Sequence, residues 1–86
     1  MIDIPKDMQQ YIIRRGLKDG GEQVRLKFPN GYGASVIDTN YSYGLELAVI
    51  GLDGGLAYDT PITEDVLGYL DDETLLQALT DIMKLE

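Results

Sequence analysis

Alternating apolar and polar residues in the middle of the chain predict a small antiparallel sheet. In residues 22–28, valine, leucine and phenylalanine alternate with arginine and lysine, which is typical of a strand with one buried face. Asparagine-glycine and aspartate-glycine pairs in residues 30–33 and 53–55 are strong hairpin signals. Three further segments have strand character: residues 34–39, 45–52 and 56–60. The pattern therefore predicts a four-stranded antiparallel meander.

Helical spacing of apolar residues precedes the sheet. Asp3 precedes residues 4–17 and is a candidate cap for a helix there. Pro5 would lie in the first turn, where its missing N–H has no cost. Apolar side chains fall on one stripe of this segment, at Ile4, Met8, Tyr11 and Ile12. We therefore predict an N-terminal helix, which ends at Gly16 or at the glycines that follow.

Two helices are predicted after the sheet. Residues 64–70 predict a short helix, and residues 72–85 a longer one that Asp71 caps. Five apolar residues form the stripe of the longer helix: Leu75, Leu76, Leu79, Ile82 and Met83. Residues 1–86 are thus expected to form a single α+β domain, with the helices packed on one face of the antiparallel sheet.

The composition argues against an enzyme. The 86 residues include neither cysteine nor histidine, so disulfides, thiolate metal sites and the usual general base at neutral pH are excluded. No apolar run approaches the roughly 20 residues that cross a bilayer, and the N-terminus lacks the pattern of a signal peptide. We expect a cytoplasmic, non-enzymatic protein without a cofactor or a bound metal.

Charge is distributed unevenly along the chain, and this points to a class of partner. The net charge is −8. Residues 1–37 carry four acids and six bases, whereas residues 38–86 carry eleven acids and one base. Phosphate groups and anionic lipids would be repelled by the acidic half, so we expect no direct nucleic-acid or membrane binding. A protein with a basic surface is the expected partner.

Glycines and tyrosines are concentrated in residues 29–44. Gly31 and Gly33 match the first two positions of a dinucleotide-binding fingerprint, but Val36 stands at the third and a strand is predicted to follow. The glycines are therefore predicted to serve a tight turn, with positive φ angles, and not a phosphate site.

The tyrosines and carboxylates near these turns are the candidate site. Tyrosine is enriched in binding surfaces; the alternative is that rings in these turns simply cover the edges of the sheet. Three acids at 71–73 lack the spacing of a calcium loop, and helix capping accounts for them. The candidate partner-binding residues are Tyr32, Asp38, Tyr41, Tyr43, Glu46, Asp71, Asp72 and Glu73.

Four segments carry a resemblance to a known group of proteins. They read FPNGYGASV, YSYG, ELAVI and YDTPITEDVLGYL, and in that order they resemble small proteins encoded by bacteriophages and prophages. The resemblance covers residues 28–70. Members of the group tend to have a longer glycine-rich loop before ELAV, which is short here. The group has no assigned activity, so the resemblance implies a phage accessory protein in the bacterial cytoplasm and no catalytic residues.

Two functions from different classes follow. The first is a non-enzymatic protein that binds a host or phage protein through an acidic, tyrosine-bearing surface, in its sharpest form an inhibitor that mimics nucleic acid. The second is a self-associating structural or assembly component of the phage, for example a homodimer, which would use apolar surface left over on the sheet.

Overall fold

The computed structural model describes residues 2–42, 44–55 and 66–85 of the chain. Within these residues, five strands form one antiparallel sheet in chain order. The meander is thus confirmed for the predicted strands at 22–28, 34–39 and 45–52. Of the two helices predicted after the sheet, the longer one is confirmed as an α-helix. The elements are a 3₁₀ helix Lys6–Tyr11, β1 (Ile12–Lys18), β2 (Gly21–Lys27), β3 (Gly33–Asp38), β4 (Leu45–Ile50), β5 (Val66–Leu67) and α1 (Asp72–Met83).

The predicted N-terminal helix is wrong beyond Tyr11. Residues 6–11 form a 3₁₀ helix, and residues 12–18 form β1, which pairs with β2. Asp19 and Gly20, predicted to lie beyond the end of a helix, are the two-residue turn of this hairpin, with φ angles of 46° and 81°. Two positive φ angles match the twist of paired strands. The hairpin ladder with β2 therefore outweighs the helical spacing of these residues.

The short helix predicted at residues 64–70 is wrong at residues 66–67, and the strand predicted at 56–60 is not tested. Of the short helix predicted at 64–70, residues 66–67 are instead β5, which pairs with Leu47 and Ala48 of β4. Pairing with β4 satisfies backbone groups that one helical turn would leave open. The strand predicted at 56–60 lies outside the described residues.

The core fills one face of the sheet. Alternate residues of the three central strands point into it, and α1 and the N-terminal segment cover it. The predicted positions Ile4 and Met8 are buried, although the segment is not an α-helix. The members of the core include Ile2, Ile4, Met8, Val24, Leu26, Phe28, Val36, Leu47, Val49, Leu75, Leu79 and Ile82.

The apolar stripe of α1 differs from the prediction at one position. Leu75, Leu79 and Ile82 are fully buried, whereas Leu76 is 44% exposed and Ala78 takes its place in the core. A helix that packs on a flat sheet buries a narrow stripe, and Leu76 lies at its margin.

Both ends of α1 are tied to other groups. Asp71 is the predicted cap: its carboxylate accepts from the Thr74 backbone N–H at 2.8 Å, and the Thr74 hydroxyl accepts from the Asp71 N–H. At the other end, the Asn30 amide donates to the carbonyls of Ile82 and Leu85 at 2.8 and 3.1 Å. These bonds satisfy helix-end groups that lack partners inside the helix.

The predicted turn roles of Gly31 and Gly33 divide between two causes. Gly31 has a φ of 90°, as a hairpin turn requires. At Gly33, a Cβ atom would lie 2.3 Å from the Leu26 carbonyl oxygen, so Gly33 is needed for close approach of two strands.

Glu22 and Arg15 clamp the N-terminal segment onto the sheet. The Glu22 carboxylate accepts from the Ile2 backbone N–H at 2.6 Å and pairs with the Arg15 guanidinium at 3.2 Å. Arg15 also donates to the Ile2 carbonyl. The Ile2 N–H, and after it Arg15, hold the pKa of the Glu22 carboxyl below its usual value. Both partners of this ion pair therefore hold the backbone of Ile2 in place.

Replacing Leu79 tests the core. Leu79→Ala should lower the free energy of unfolding by about 2–5 kcal/mol, because it leaves a cavity under α1. Leu76→Ala on the same helix is the matched control, with an expected loss under about 1 kcal/mol. Urea denaturation followed by circular dichroism measures both. Equal losses would contradict the packing of α1.

Replacing Glu22 tests the clamp through pH. The folded-state pKa of Glu22 is lowered, so the clamp stabilises the fold at pH values above the unfolded-state pKa of 4.5. This stabilisation is lost as the pH falls through the folded-state pKa. The free energy of unfolding should therefore drop more for the wild type than for Glu22→Gln between neutral pH and about pH 3. Parallel losses in the two proteins would contradict a perturbed Glu22.

Candidate functional site

Two turns lie side by side at one end of the sheet. The β1–β2 turn is formed by Asp19 and Gly20, and the Asn40 backbone N–H donates to the Asp19 carbonyl at 3.0 Å. A Cβ atom on Gly20 would overlap the Asn40 side chain. The close approach joins the β1–β2 turn to the segment between β3 and β4, although the two are about twenty residues apart in sequence.

The β3–β4 segment is held by its own hydroxyl groups. The Thr39 hydroxyl accepts from the N–H groups of Tyr41 and Ser42 at 3.2 and 3.1 Å, and the Ser42 hydroxyl accepts from the Thr39 N–H at 2.9 Å. Such bonds form a turn without help from a sheet. They present Tyr41 outwards, with 84% of its side chain exposed.

A third segment joins this end from the far side of the sheet. The Leu70 backbone N–H donates to the Leu45 carbonyl at 2.9 Å. Tyr69 precedes it, beside Gly44: a Cβ atom at position 44 would lie 3.6 Å from the Tyr69 ring. Tyr69 has a φ of 54° and is 81% exposed. A bulky residue with positive φ is an outlier that the surrounding structure must hold in place.

The first turn of α1 adds carboxylates. Asp71, Asp72 and Glu73 follow Leu70 and are all exposed. The Thr74 backbone N–H, and after it the Thr74 hydroxyl, hold the pKa of the Asp71 carboxyl below its usual value. Asp71 is therefore ionised at neutral pH, and it remains both the helix cap and a surface charge.

These segments together form an acidic, tyrosine-bearing surface at one end of the sheet. We call it the acidic end. All its members are exposed, and Lys18 at the end of β1 is the neighbouring base. It consists of Asp19, Asp38, Tyr41, Tyr69, Asp71, Asp72 and Glu73.

An open groove of about 640 Å³ lies within the same region. Ile2 and Leu17 supply its apolar wall, and the carboxylates of Asp19, Glu22 and Asp38 outnumber its one base, Lys18. A long side chain with an apolar stem and a cationic head fits such a lining. Within residues 2–42, 44–55 and 66–85, no group of three or more acids is placed to hold a metal ion.

The structure brings five of the eight predicted site residues together and places two others elsewhere. Asp38, Tyr41, Asp71, Asp72 and Glu73 lie at the acidic end. Tyr32 lies in the β2–β3 turn, at the opposite end of the sheet, where it is half-buried against the core. Glu46 is half-buried in β4, on the face of the sheet opposite the core. Tyr43 lies outside the described residues.

Two members of the acidic end were missed in the sequence. Asp19 belongs to an aspartate-glycine pair, which is itself a hairpin signal, but the predicted helix assigned it to the chain beyond a helix end. Tyr69 directly precedes the Leu70-Asp71 start of α1 and was assigned to a helix. No local pattern signals its positive φ.

Comparison of the chain with protein-family models, with curated protein sequences and with solved structures finds no match. In the part of the chain that the structure describes, none of the helices is long and apolar enough to span a membrane.

Replacing Tyr69 tests its backbone conformation. Tyr69→Gly and Tyr69→Ala both remove the ring, but only glycine adopts a positive φ without a steric penalty. The glycine variant should therefore be more stable than the alanine variant by about 1 kcal/mol, measured by urea denaturation. The reverse order, which is usual at ordinary exposed positions, would contradict the left-handed conformation.

Proposed function

We propose that the chain is a non-enzymatic phage accessory protein that binds a basic surface of a host or phage protein through its acidic end. The observation that carries the proposal is the convergence of five exposed carboxylates and two exposed tyrosines on one end of the sheet. The phage setting and the bacterial cytoplasm are supported by the resemblance of residues 28–70.

The chemistry of the acidic end supports a protein partner. Exposed tyrosines provide large contact areas at a small cost in side-chain entropy. Carboxylates around them speed association with a cationic surface and reject anionic ones. The groove beside Leu17 offers an arginine or lysine of the partner an apolar wall for its stem and acids for its head group.

The sharper form of the proposal is an inhibitor that mimics nucleic acid. Carboxylates in the turns and on the first turn of α1 would take the places of phosphates in a basic groove of the target. The turn closed by Thr39 and Ser42, together with a capped helix, holds the backbone near these acids in place. Fixed charges lose little entropy on binding, as an effective mimic requires.

The alternative is a self-associating structural component of the phage. Exposed apolar residues away from the acidic end favour it, namely Ile13 and Leu52 beside the face of the sheet opposite the core. Size-exclusion chromatography with light scattering over a range of concentrations separates the two functions.

Affinity capture from a bacterial lysate, with identification by mass spectrometry, provides the partner. Its affinity is then measured for three proteins at low and high salt. The first is the wild type, the second is Tyr41→Ala with Tyr69→Gly, and the third is Asp72→Asn with Glu73→Gln. Each double variant should weaken binding at least about tenfold, and salt should weaken the wild type most.

The matched control is Asp7→Asn with Asp53→Asn, which removes the same charge away from the acidic end. It should bind nearly as the wild type does. If this control weakened binding equally, net charge alone would explain the loss of affinity, and a localised binding surface would be contradicted. Competition between the chain and double-stranded DNA for the captured partner tests mimicry, and simultaneous binding of both would contradict it.

A further inference from the structure

The second face of the sheet, opposite the core, carries a cluster of cations in this acidic protein. Arg14 and Lys18 of β1 and Arg25 and Lys27 of β2 lie on it, since Val24 and Leu26 point to the core. Arg15 and Glu22 form an ion pair. Among the described residues, none of the four cations on the second face has an acidic partner. Arg14 stands directly opposite Arg25. Like charges in that position destabilise a sheet, and an anion between them relieves the cost.

β1 is also an edge of the described sheet. It pairs with β2 on one side only. Because the Asp19-Gly20 turn closes on the pair Lys18 and Gly21, hydrogen-bonded pairs alternate back along the hairpin. Arg15 and Leu17 therefore direct their N–H and C=O groups away from β2. Outward backbone groups of this kind are a template for an added strand.

A groove lies beside β1 on each face of the sheet. On the second face, Ile13, Arg25, Lys27 and Leu52 line a groove of about 180 Å³. On the core face, the larger groove includes Leu17, which is 95% exposed. An extended peptide places alternate side chains on opposite faces, so a strand paired with β1 would offer side chains to both grooves.

Nothing among the described residues requires glycine at position 16. Gly16 lies in the middle of β1, between Arg14 and Lys18, and a Cβ atom there would meet no described atom within 4 Å. Its φ is outside the positive range. Glycine inside a strand weakens the strand and often marks a site where another backbone approaches closely. The unoccupied space beside Gly16 therefore leaves room for the backbone of a docked chain.

The charges select the occupant. Two copies of β1 paired together would bring Arg14, Arg15 and Lys18 of both chains into one ladder, where like charges oppose pairing. A nucleic acid would find the cations but leave the outward amide and carbonyl groups of β1 without a ladder. An extended acidic peptide satisfies the backbone groups and the cations together.

We propose that β1 is a docking edge for an extended acidic segment of a partner protein, which adds a sixth strand to the described sheet. Acidic side chains on one face of the added strand meet Arg14, Lys18, Arg25 and Lys27. Apolar side chains on its other face meet Leu17 and Ile2. The docking edge shares the Leu17 groove with the acidic end, but its cations lie on the opposite face of the sheet and its partner has the opposite charge.

The probe is a fluorescent peptide of the seven-residue length of β1, in which glutamate alternates with valine, and binding is followed by anisotropy. The same peptide with glutamine in place of glutamate removes the charge. A version N-methylated at alternate backbone nitrogens removes one side of the ladder. Each change should weaken binding about tenfold or more.

Two protein variants isolate the backbone contact. Leu17→Pro removes an outward N–H, and a proline is tolerated on an edge strand when its nitrogen faces solvent. Leu17→Val is the matched control, because it shortens the side chain and keeps the N–H. We expect about tenfold weaker binding for the proline variant relative to the valine variant. Far-ultraviolet circular dichroism and thermal melting verify that both variants fold.

A charge variant keeps the test valid if the proline variant does not fold. Arg14→Gln with Lys18→Gln should weaken peptide binding about tenfold, whereas Lys6→Gln with Lys84→Gln, an equal change of charge away from β1, should not. Three outcomes would overturn the proposal: no binding of the acidic peptide, equal or tighter binding of a single-stranded oligonucleotide that displaces it, or a dimer that depends on Leu17 in the absence of peptide.

Discussion

The burial of one face of the sheet under α1 is the constraint on which the rest of the structure depends. Leu75, Leu79 and Ile82 fill the space above Val36 and Leu47, and the N-terminal segment closes its margin. A chain of this size has little more apolar surface to bury. Within the described residues, the opposite face of the sheet is covered by no helix, so its polar side chains remain available to partners.

The same packing brings distant charged residues together. α1 reaches the sheet through Leu70, whose N–H bonds to the Leu45 carbonyl, so the acidic start of the helix lies next to the β3–β4 segment. The hydroxyls of Thr39 and Ser42 shape that segment with local bonds. The acidic end is thus made of segments that the hydrogen bonds of the fold hold in position.

Opposite charges occupy different parts of the molecule. The acidic end gathers carboxylates around two turns and a helix start, whereas the cations of β1 and β2 lie on the second face and have no acidic partners among the described residues. If the charges were mixed, they would neutralise one another in local ion pairs. Their separation supports two interactions of opposite chemistry, one with a basic protein surface and one with an acidic strand.

The sequence by itself determined the features that depend on local pattern. Period-two alternation predicted β2, β3 and β4, the asparagine-glycine pair predicted the β2–β3 hairpin, and Asp71 predicted the start of α1, since each depends on neighbours within a few residues. The tertiary structure decided β1 and β5, because pairing with the neighbouring strand β2 and with the more distant strand β4 overrides helical spacing. It also decided the site: Tyr32 lies at the opposite end from Tyr41 because successive turns of a meander alternate. Tyr69 joins Tyr41 only through the long-range bond between Leu70 and Leu45.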